Sequence, residues 1–288
     1  MPELPEVETI KRGLAKTIVG KTIVDFDSDW HKAINLPLKT YRKRIKGLRV
    51  RGLKRRAKML ILELSGGLSI LVHLKMTGQL IYRDKARCLI GGHTLALNCD
   101  GLPNKFTHAT FSFKDGSRLY FNDLRKFGWV RLYKDGEMER WIDGKRLGPE
   151  PLSKEFSVKY LVGRAKKRPK MKIKQFIMDN SNLVGVGNIY SDEVCFYAKV
   201  KPTRRVGALS SAQIKTIHKG IQEILRRAIK AQGTTFSNYV NADGQAGGFV
   251  KMLKVYQRYG EKCFRCPGKV AKMKIGGRTS SFCPRCQK

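Results

Sequence analysis

Cys263-Phe-Arg-Cys266 and Cys283-Pro-Arg-Cys286 close this chain, with sixteen residues between the two pairs. Two C-x-x-C pairs at this separation are the pattern of a tetrahedral zinc site made of four thiolates. Gly276-Gly277, midway between them, reads as the turn of a β-hairpin. The same interval carries Lys269, Lys272, Lys274 and Arg278 and no acid. The stretch therefore reads as a basic hairpin clamped by one structural Zn2+, rigid enough to present cations to a polyanion. The alternatives are two disulfides or unrelated thiols. The spacing and the lack of any mark of secretion favour the metal.

Composition points the same way. With 59 Lys+Arg against 23 Asp+Glu, the formal net charge is +36. A surface this positive attracts phosphate backbones and gains affinity by counterion release. Ribosomal and chromatin proteins reach such charge, but there it sits on smaller or less ordered chains. Here it is spread through 288 residues that are 41% hydrophobic, enough for two domains and a small appendage. No run of eighteen apolar residues and no basic amphipathic anchor occurs, so no membrane partner is expected. The opening Met-Pro-Glu-Leu-Pro-Glu lacks the basic-then-apolar plan of a signal peptide. The expected location is the cytoplasm, where Cys88, Cys99 and Cys195 are expected to be free thiols.

Hydrophobic periodicity divides the rest. Val7, Ile10 and Leu14 share a helical face. From residue 23 to 133 short strands follow, at 59–64, 68–74, 79–82, 109–113, 118–122 and 129–133, with turn signals such as Ser65-Gly66-Gly67 and Lys114-Asp115-Gly116. That pattern predicts a β-sandwich or barrel. Residues 83–105 fit no element and read as a long excursion. Leu147-Gly148-Pro149-Glu150-Pro151-Leu152 is a stiff joint, and beyond it the chain reads as helical. The longest predicted helix, 212–232, carries Ile214, Ile217, Ile221, Ile224, Leu225 and Ala228 at the 3.6 period, a Ser210/Gln213 capping box and a terminating Gly233. The glycine-rich stretch 234–248 reads as a loop. The expected organisation is α+β and multidomain: 1–147, a linker at 148–152, a helical domain at 153–250 and a zinc unit at 255–288.

Chemistry concentrates at the start. A small residue after the initiator favours removal of Met1, which frees the secondary amine of Pro2. A free α-amine has a pKa near 8, so much more of it is neutral than of a lysine. Neutral amines attack carbonyl-like carbons, and a proline adduct is a permanently cationic iminium that favours elimination. Glu3 and Glu6 lie beside it as candidate proton carriers. Acids at a helix start are also favoured simply by the helix dipole, and from these residues alone that plainer reading is preferred.

Six motifs in one order resolve that choice: Met1-Pro-Glu-Leu-Pro-Glu-Val-Glu-Thr-Ile10, Arg56-Ala57-Lys58, His73-Leu-Lys-Met-Thr-Gly78, Asn122-Asp-Leu-Arg-Lys-Phe-Gly128, Val184-Gly-Val-Gly-Asn-Ile-Tyr190 and the terminal cysteines. Together they resemble formamidopyrimidine-DNA glycosylases over nearly the whole chain. The resemblance implies an N-terminal helix and β-sandwich, then a helix–two-turn–helix domain and a β-hairpin zinc finger. It implies a monomeric bacterial base-excision enzyme that removes oxidised purines from duplex DNA and then cuts the strand by β,δ-elimination. In that scheme Pro2 is the nucleophile, Glu3 the acid/base and Glu6 a supporting carboxylate. Lys58 and His73 hold phosphates. Met76, Arg125 and Phe127, with Lys126 between the last two, fill the gap left by a flipped base, and Arg125 reads the orphaned partner. Lys174, Asn188 and Arg278 grip the backbone, and residues 237–248 close over the extruded base.

The departures are specific. Residues 83–105 are longer than in the best-known members. Leu4 stands where endonuclease VIII-like relatives, which remove oxidised pyrimidines, usually have glycine, which weighs against that branch. A rival from another class is a non-catalytic zinc protein that binds nucleic acid by charge alone.

Overall fold

The computed structural model describes residues 1–93, 99–234, 239–240 and 247–288, the side chains of 239–240 excepted. It divides into two compact units, residues 1–145 with 231–250, and 146–230 with 251–288.

Unit 1 begins with helix α1 (Leu4–Ile18). Its Leu4, Val7, Ile10, Leu14 and Ile18 are all buried, as a 3–4 spacing requires of one face. Strands β1 (Ile23–Asp27), β2 (Val50–Arg56), β3 (Met59–Leu64), β4 (Leu68–His73), β5 (Gly78–Arg83), β6 (Cys88–His93), β7 (Thr107–Phe113), β8 (Arg118–Asp123) and β9 (Trp129–Lys134) follow, with the short helix α2 (Leu38–Ile45) between β1 and β2. One sheet runs β2-β3-β4-β9. The other runs β1-β7-β8-β5-β6 and ends on β10 (Tyr239–Val240). Alternate residues of both sheets, including Leu60, Leu62, Ile70, Val72, Leu80, Phe111, Phe121 and Val130, share one core with the apolar face of α1. Each such side chain contributes about 1.5–3 kcal/mol on burial. A helix covering a two-sheet sandwich is the α+β arrangement expected.

Two expectations about the excursion change. Residues 88–93 form β6, antiparallel to β5 and to β10. Cys88 and Cys99 are not free thiols: they are joined by a disulfide, with Cα atoms 5.9 Å apart. Spacing alone gives no reason to pair them. They meet on the outer face of β5 and β8, where Cys99 packs on Ile81, Ile90 and Tyr120. Cys195 is free and buried, as expected of a small apolar side chain.

Helix α3 (Glu137–Asp143) closes the N-terminal run. Unit 2 holds α4 (Val158–Lys167), α5 (Ile173–Met178), α6 (Asn188–Tyr197), α7 (Ser211–Lys230) and the hairpin β11 (Ala271–Ile275)–β12 (Arg278–Phe282). The capping box of α7 forms: the Gln213 N–H donates to Ser210 Oγ at 3.2 Å, and the Ser210 N–H to Gln213 Oε1 at 3.0 Å. The proline-rich joint is anchored, since the Gly148 N–H donates to Asn180 O at 2.7 Å. A Cβ at Gly148 would stand 2.7 Å from the Asn182 backbone, so only glycine fits there. Sequence alone predicts a helical domain over 153–250, whereas residues 231–250 pack with unit 1. No helix among the described residues is long and apolar enough to cross a membrane.

Candidate active site and nucleic-acid interface

In unit 1, Pro2, Glu3 and Glu6 are buried at the start of α1. The Glu3 N–H donates to Glu6 Oε2 at 2.9 Å. The other Glu6 oxygen accepts from Thr234, by its N–H at 2.8 Å and its hydroxyl at 3.0 Å. A buried carboxylate filled by such donors holds its place. Gly233 has φ +83°, and its added Cβ would stand 2.9 Å from Glu6 Oε1. The residue predicted to end a helix therefore also makes room for this carboxylate.

Lys58 follows Ala57, which takes φ 55° in the tight turn between β2 and β3. Arg55 ties that turn to α1: its Nε lies 3.1 Å from Glu8 Oε2 and its Nη1 donates to Ala57 O at 2.9 Å. Burial pushes the Glu8 carboxyl up, but Lys11, Arg12 and Arg55 outweigh it and hold it below the usual carboxylate range. His73 pairs across β3 and β4 with Met59, the residue after Lys58. Its Nδ1 accepts the Lys75 N–H at 2.9 Å. Burial, then the charges of Lys75 and Lys58, lower its pKa to about 3. The ring is therefore neutral with its proton on Nε2, a donor to an anion rather than a cation beside one.

Met76 and Phe127 are exposed, at 41% and 55%, although both are large and apolar. The cause is Asp123, which is fully buried. One of its carboxylate oxygens accepts the Thr77 hydroxyl and the Arg125 N–H, and the other accepts the N–H groups of Phe127 at 2.8 Å and Gly128 at 2.6 Å. Gly78 pairs directly with Asp123 across β5 and β8. One carboxylate thus binds the 74–78 and 123–128 turns together and turns Met76, Arg125, Lys126 and Phe127 outward. Lys126 is held at φ 56°, and its ammonium lies over Trp30 at 4.7 Å. Arg125 stacks over Phe127 at 4.8 Å. Asp123 lies within the 122–128 motif, but no local pattern marks it; only burial reveals that it is the hub.

In unit 2, Asn188 opens α6 and its Nδ2 donates to Thr279 O at 3.1 Å. This places Asn188 beside exposed Arg278 at the start of β12. Lys174 differs from expectation. It is 1% exposed, and its ammonium lies 2.7 Å from Asp192 Oδ1. Asp192 also accepts from the Ser280 hydroxyl at 2.5 Å and the Ser281 N–H at 2.8 Å. Burial raises the Asp192 pKa, and Lys174 opposes that rise. An ammonium so buried and paired is enclosed by protein groups rather than solvent. Its place is to fasten α5 and α6 to the hairpin that carries Arg278. Glu193 makes a second fastening by accepting the N–H groups of Lys254, Val255 and Tyr256. Neither acid carries a signal in the sequence, since all their partners except Lys174 are 61 to 89 positions away.

Cys263, Cys266, Cys283 and Cys286 place their sulfurs within 4.8 Å of one another. Two of the separations are 3.8 and 3.6 Å. A tetrahedron with Zn–S bonds of about 2.3 Å has edges of about 3.8 Å, whereas a disulfide needs about 2.05 Å. The set fits one zinc ion with no open position, hence a structural one. The stretch 237–248 lies largely outside the described residues.

Comparison with known proteins covers the entire chain. Family models match in series: Formamidopyrimidine-DNA glycosylase N-terminal domain at residues 1–130, Formamidopyrimidine-DNA glycosylase H2TH domain at 147–240, and the zinc finger found in FPG and IleRS at 260–288. The chain is 39% identical over 290 residues to a formamidopyrimidine-DNA glycosylase of Carboxydothermus hydrogenoformans, covering 100% of both. It is 36% identical over 289 residues to that of Bacillus cereus, covering 100% of this chain and 99% of the other. A Lactococcus lactis FPG mutant complexed with a Fapy-dG containing DNA superposes with TM-score 0.88 at 33% identity and full coverage of both chains. The Lactococcus lactis Fpg bound to an abasic site containing DNA gives TM-score 0.88 over 99% of each.

Proposed function

The chain belongs to the formamidopyrimidine-DNA glycosylase family, and from that premise we propose that it is a bifunctional glycosylase and abasic-site lyase. Its substrates are oxidised purines, 8-oxoguanine and formamidopyrimidines, in double-stranded DNA. It acts as a monomer in the bacterial cytoplasm. The observation that carries this reading is the buried Glu3–Glu6–Thr234 arrangement next to Pro2. It fixes two carboxylates beside the one secondary amine the chain gains when Met1 is removed.

In this reading the Pro2 nitrogen bonds to C1′ as the N-glycosidic bond breaks, and the base leaves with a proton. Glu3 protonates the ring oxygen, opening the sugar to an iminium. That cation makes the C2′ proton acidic, so β-elimination expels the 3′ phosphate and δ-elimination the 5′ phosphate. Water then returns the amine. Glu6, already saturated by Thr234 and the Glu3 N–H, positions rather than transfers. Lys58 and the neutral His73 N–H hold phosphates of the extruded nucleotide. Met76 and Phe127 occupy the emptied stack, and Arg125, with Lys126 on the same turn, meets the orphaned base. Asn188 and Arg278 grip the backbone, and Lys174 holds them in place. Zinc stiffens the hairpin and takes no part in the chemistry.

The test is borohydride reduction of the Met1-free protein with duplexes carrying 8-oxoguanine opposite cytosine or an oxidised thymine opposite adenine. An adduct mapped to Pro2, formed mainly on the first duplex, is expected. Glu3→Gln is expected to bind the lesion without releasing the base. No adduct at Pro2, or normal turnover by Glu3→Gln, overturns the assignment. A dominant adduct on the second duplex reassigns the substrate to pyrimidines.

A further inference from the structure

The long 83–105 segment has no part in the reaction above, yet it carries the one disulfide among the described residues. Its two sulfurs differ in setting. Cys88 is exposed at the start of β6, whereas Cys99 is 5% exposed against Ile81, Ile90 and Tyr120. Exposed Lys85 and Arg87 lie just before Cys88, with Asp84 3.6 Å from Arg87. An incoming thiolate thus meets an accessible sulfur in a mainly positive setting, with a buried sulfur as leaving group. Arg83 Nη1 donates to Cys99 O at 2.8 Å, which keeps Cys99 at its post whether or not the bond exists.

What the bond pins is β6. At the other end of that strand, His93 and Gly92 pair with Tyr239 and Val240. In its middle, Gly91 lies so close to α1 that an added Cβ would stand 2.9 Å from Ile10. The strand is therefore fixed against the helix whose first turn holds Glu3 and Glu6.

We propose that Cys88 and Cys99 form a reversible thiol–disulfide modification site for small dithiols and disulfides, whose oxidised form clamps β6 against α1 and raises base excision. The effect on excision rests on the function proposed above; the exchange does not. In reduction, a dithiol thiolate bonds to Cys88 Sγ and the Cys88–Cys99 bond breaks. Cys99 leaves as a thiolate and takes a proton. The second dithiol sulfur then displaces Cys88, so the protein gains two electrons and two protons and the dithiol becomes a cyclic disulfide. Oxidation by a small disulfide runs the same steps in reverse.

The experiment equilibrates the zinc-loaded full chain with reduced or oxidised dithiothreitol, then alkylates free thiols and maps them by mass spectrometry. Hydrogen exchange over 88–93, single-turnover release of 8-oxoguanine, strand cleavage at a preformed abasic site and zinc content are read on the same samples. The oxidised form is expected to lack two hydrogens at Cys88 and Cys99 and to exchange about ten-fold more slowly in β6. Release of 8-oxoguanine is expected to be about three-fold faster, with abasic-site cleavage and zinc content unchanged. Cys88→Ser is expected to match the reduced form under both conditions. The proposal fails if both cysteines alkylate fully after oxidation, if β6 exchanges equally in both states, or if excision is equal in both. It also fails if Cys88→Ser still responds, which would transfer the effect to the zinc cysteines. A chain that releases no oxidised purine sinks the functional reading instead, while the mapping and the exchange data still decide the site.

Discussion

Asp123 and Asp192 are both fully buried, and each organises one unit, but different donors satisfy them. Asp123 takes a hydroxyl and three backbone N–H groups. Asp192 takes an ammonium, a hydroxyl and one N–H. The first arrangement shapes a turn and leaves the cations it displays, Arg125 and Lys126, facing outward. The second consumes its cation: Lys174 becomes part of the interior, while Arg278 stays exposed on the hairpin. A basic residue at a matching motif position therefore stays exposed only where something else satisfies the local acid.

Four measurements separate the two arrangements. The largest effect is expected from zinc. Apparent binding in zinc-finger peptides is about 10–16 kcal/mol, so chelation should abolish exchange protection of β11 and β12 and DNA binding. Unit 1 should keep its protection; equal loss in both units would remove the distinction. Next, Lys174→Met leaves Asp192 buried and unpaired and should cost about 3–5 kcal/mol in urea unfolding near pH 7. The variant's Asp192 is raised further and binds a proton that the unfolded chain does not. The deficit should therefore shrink as pH falls below 7 towards 5. A deficit independent of pH would show that the pair is not the cause.

Third, Asp123→Asn turns an amide N–H2 toward backbone donors and should cost about 2–3 kcal/mol. It should also lower discrimination among bases opposite the lesion, measured by single-turnover excision. Unchanged discrimination would detach Asp123 from the displayed turn. Smallest is a pH effect at His73, neutral in the fold down to about pH 3 and charged in the unfolded chain below about 6.5. Its stabilising share is present above pH 6.5 and is lost by about 1.4 kcal/mol per unit as pH falls. Between pH 7 and 5 the wild type should lose about 2 kcal/mol more than His73→Gln. Parallel unfolding curves would contradict the neutral ring.

Legibility in the sequence follows the range of the cause. The zinc unit, α1 and α7 rest on spacings of a few residues and read directly. Strands β3, β4, β5 and β9 alternate or run apolar, and so read nearly as well. β6 does not, because Cys-Leu-Ile-Gly-Gly-His looks like a turn; its conformation comes from pairing with β5 and from Ile10 resting on Gly91. As candidate positions only, Glu3, Asn188 and Arg278 were legible through resemblance. Their supports were not: Thr234, Asp192 and Ser280 meet their partners across distances that no local pattern records.

Glu6 and Thr234 meet across 228 positions of chain. Synthesis releases the N-terminus first, at about 5–20 residues per second. The first turn of α1 is therefore made many seconds before the partner that fixes its carboxylate. A half-translated copy therefore carries Glu6 without the Thr234 that anchors its carboxylate, and this turn takes its final form only after most of the message has been read.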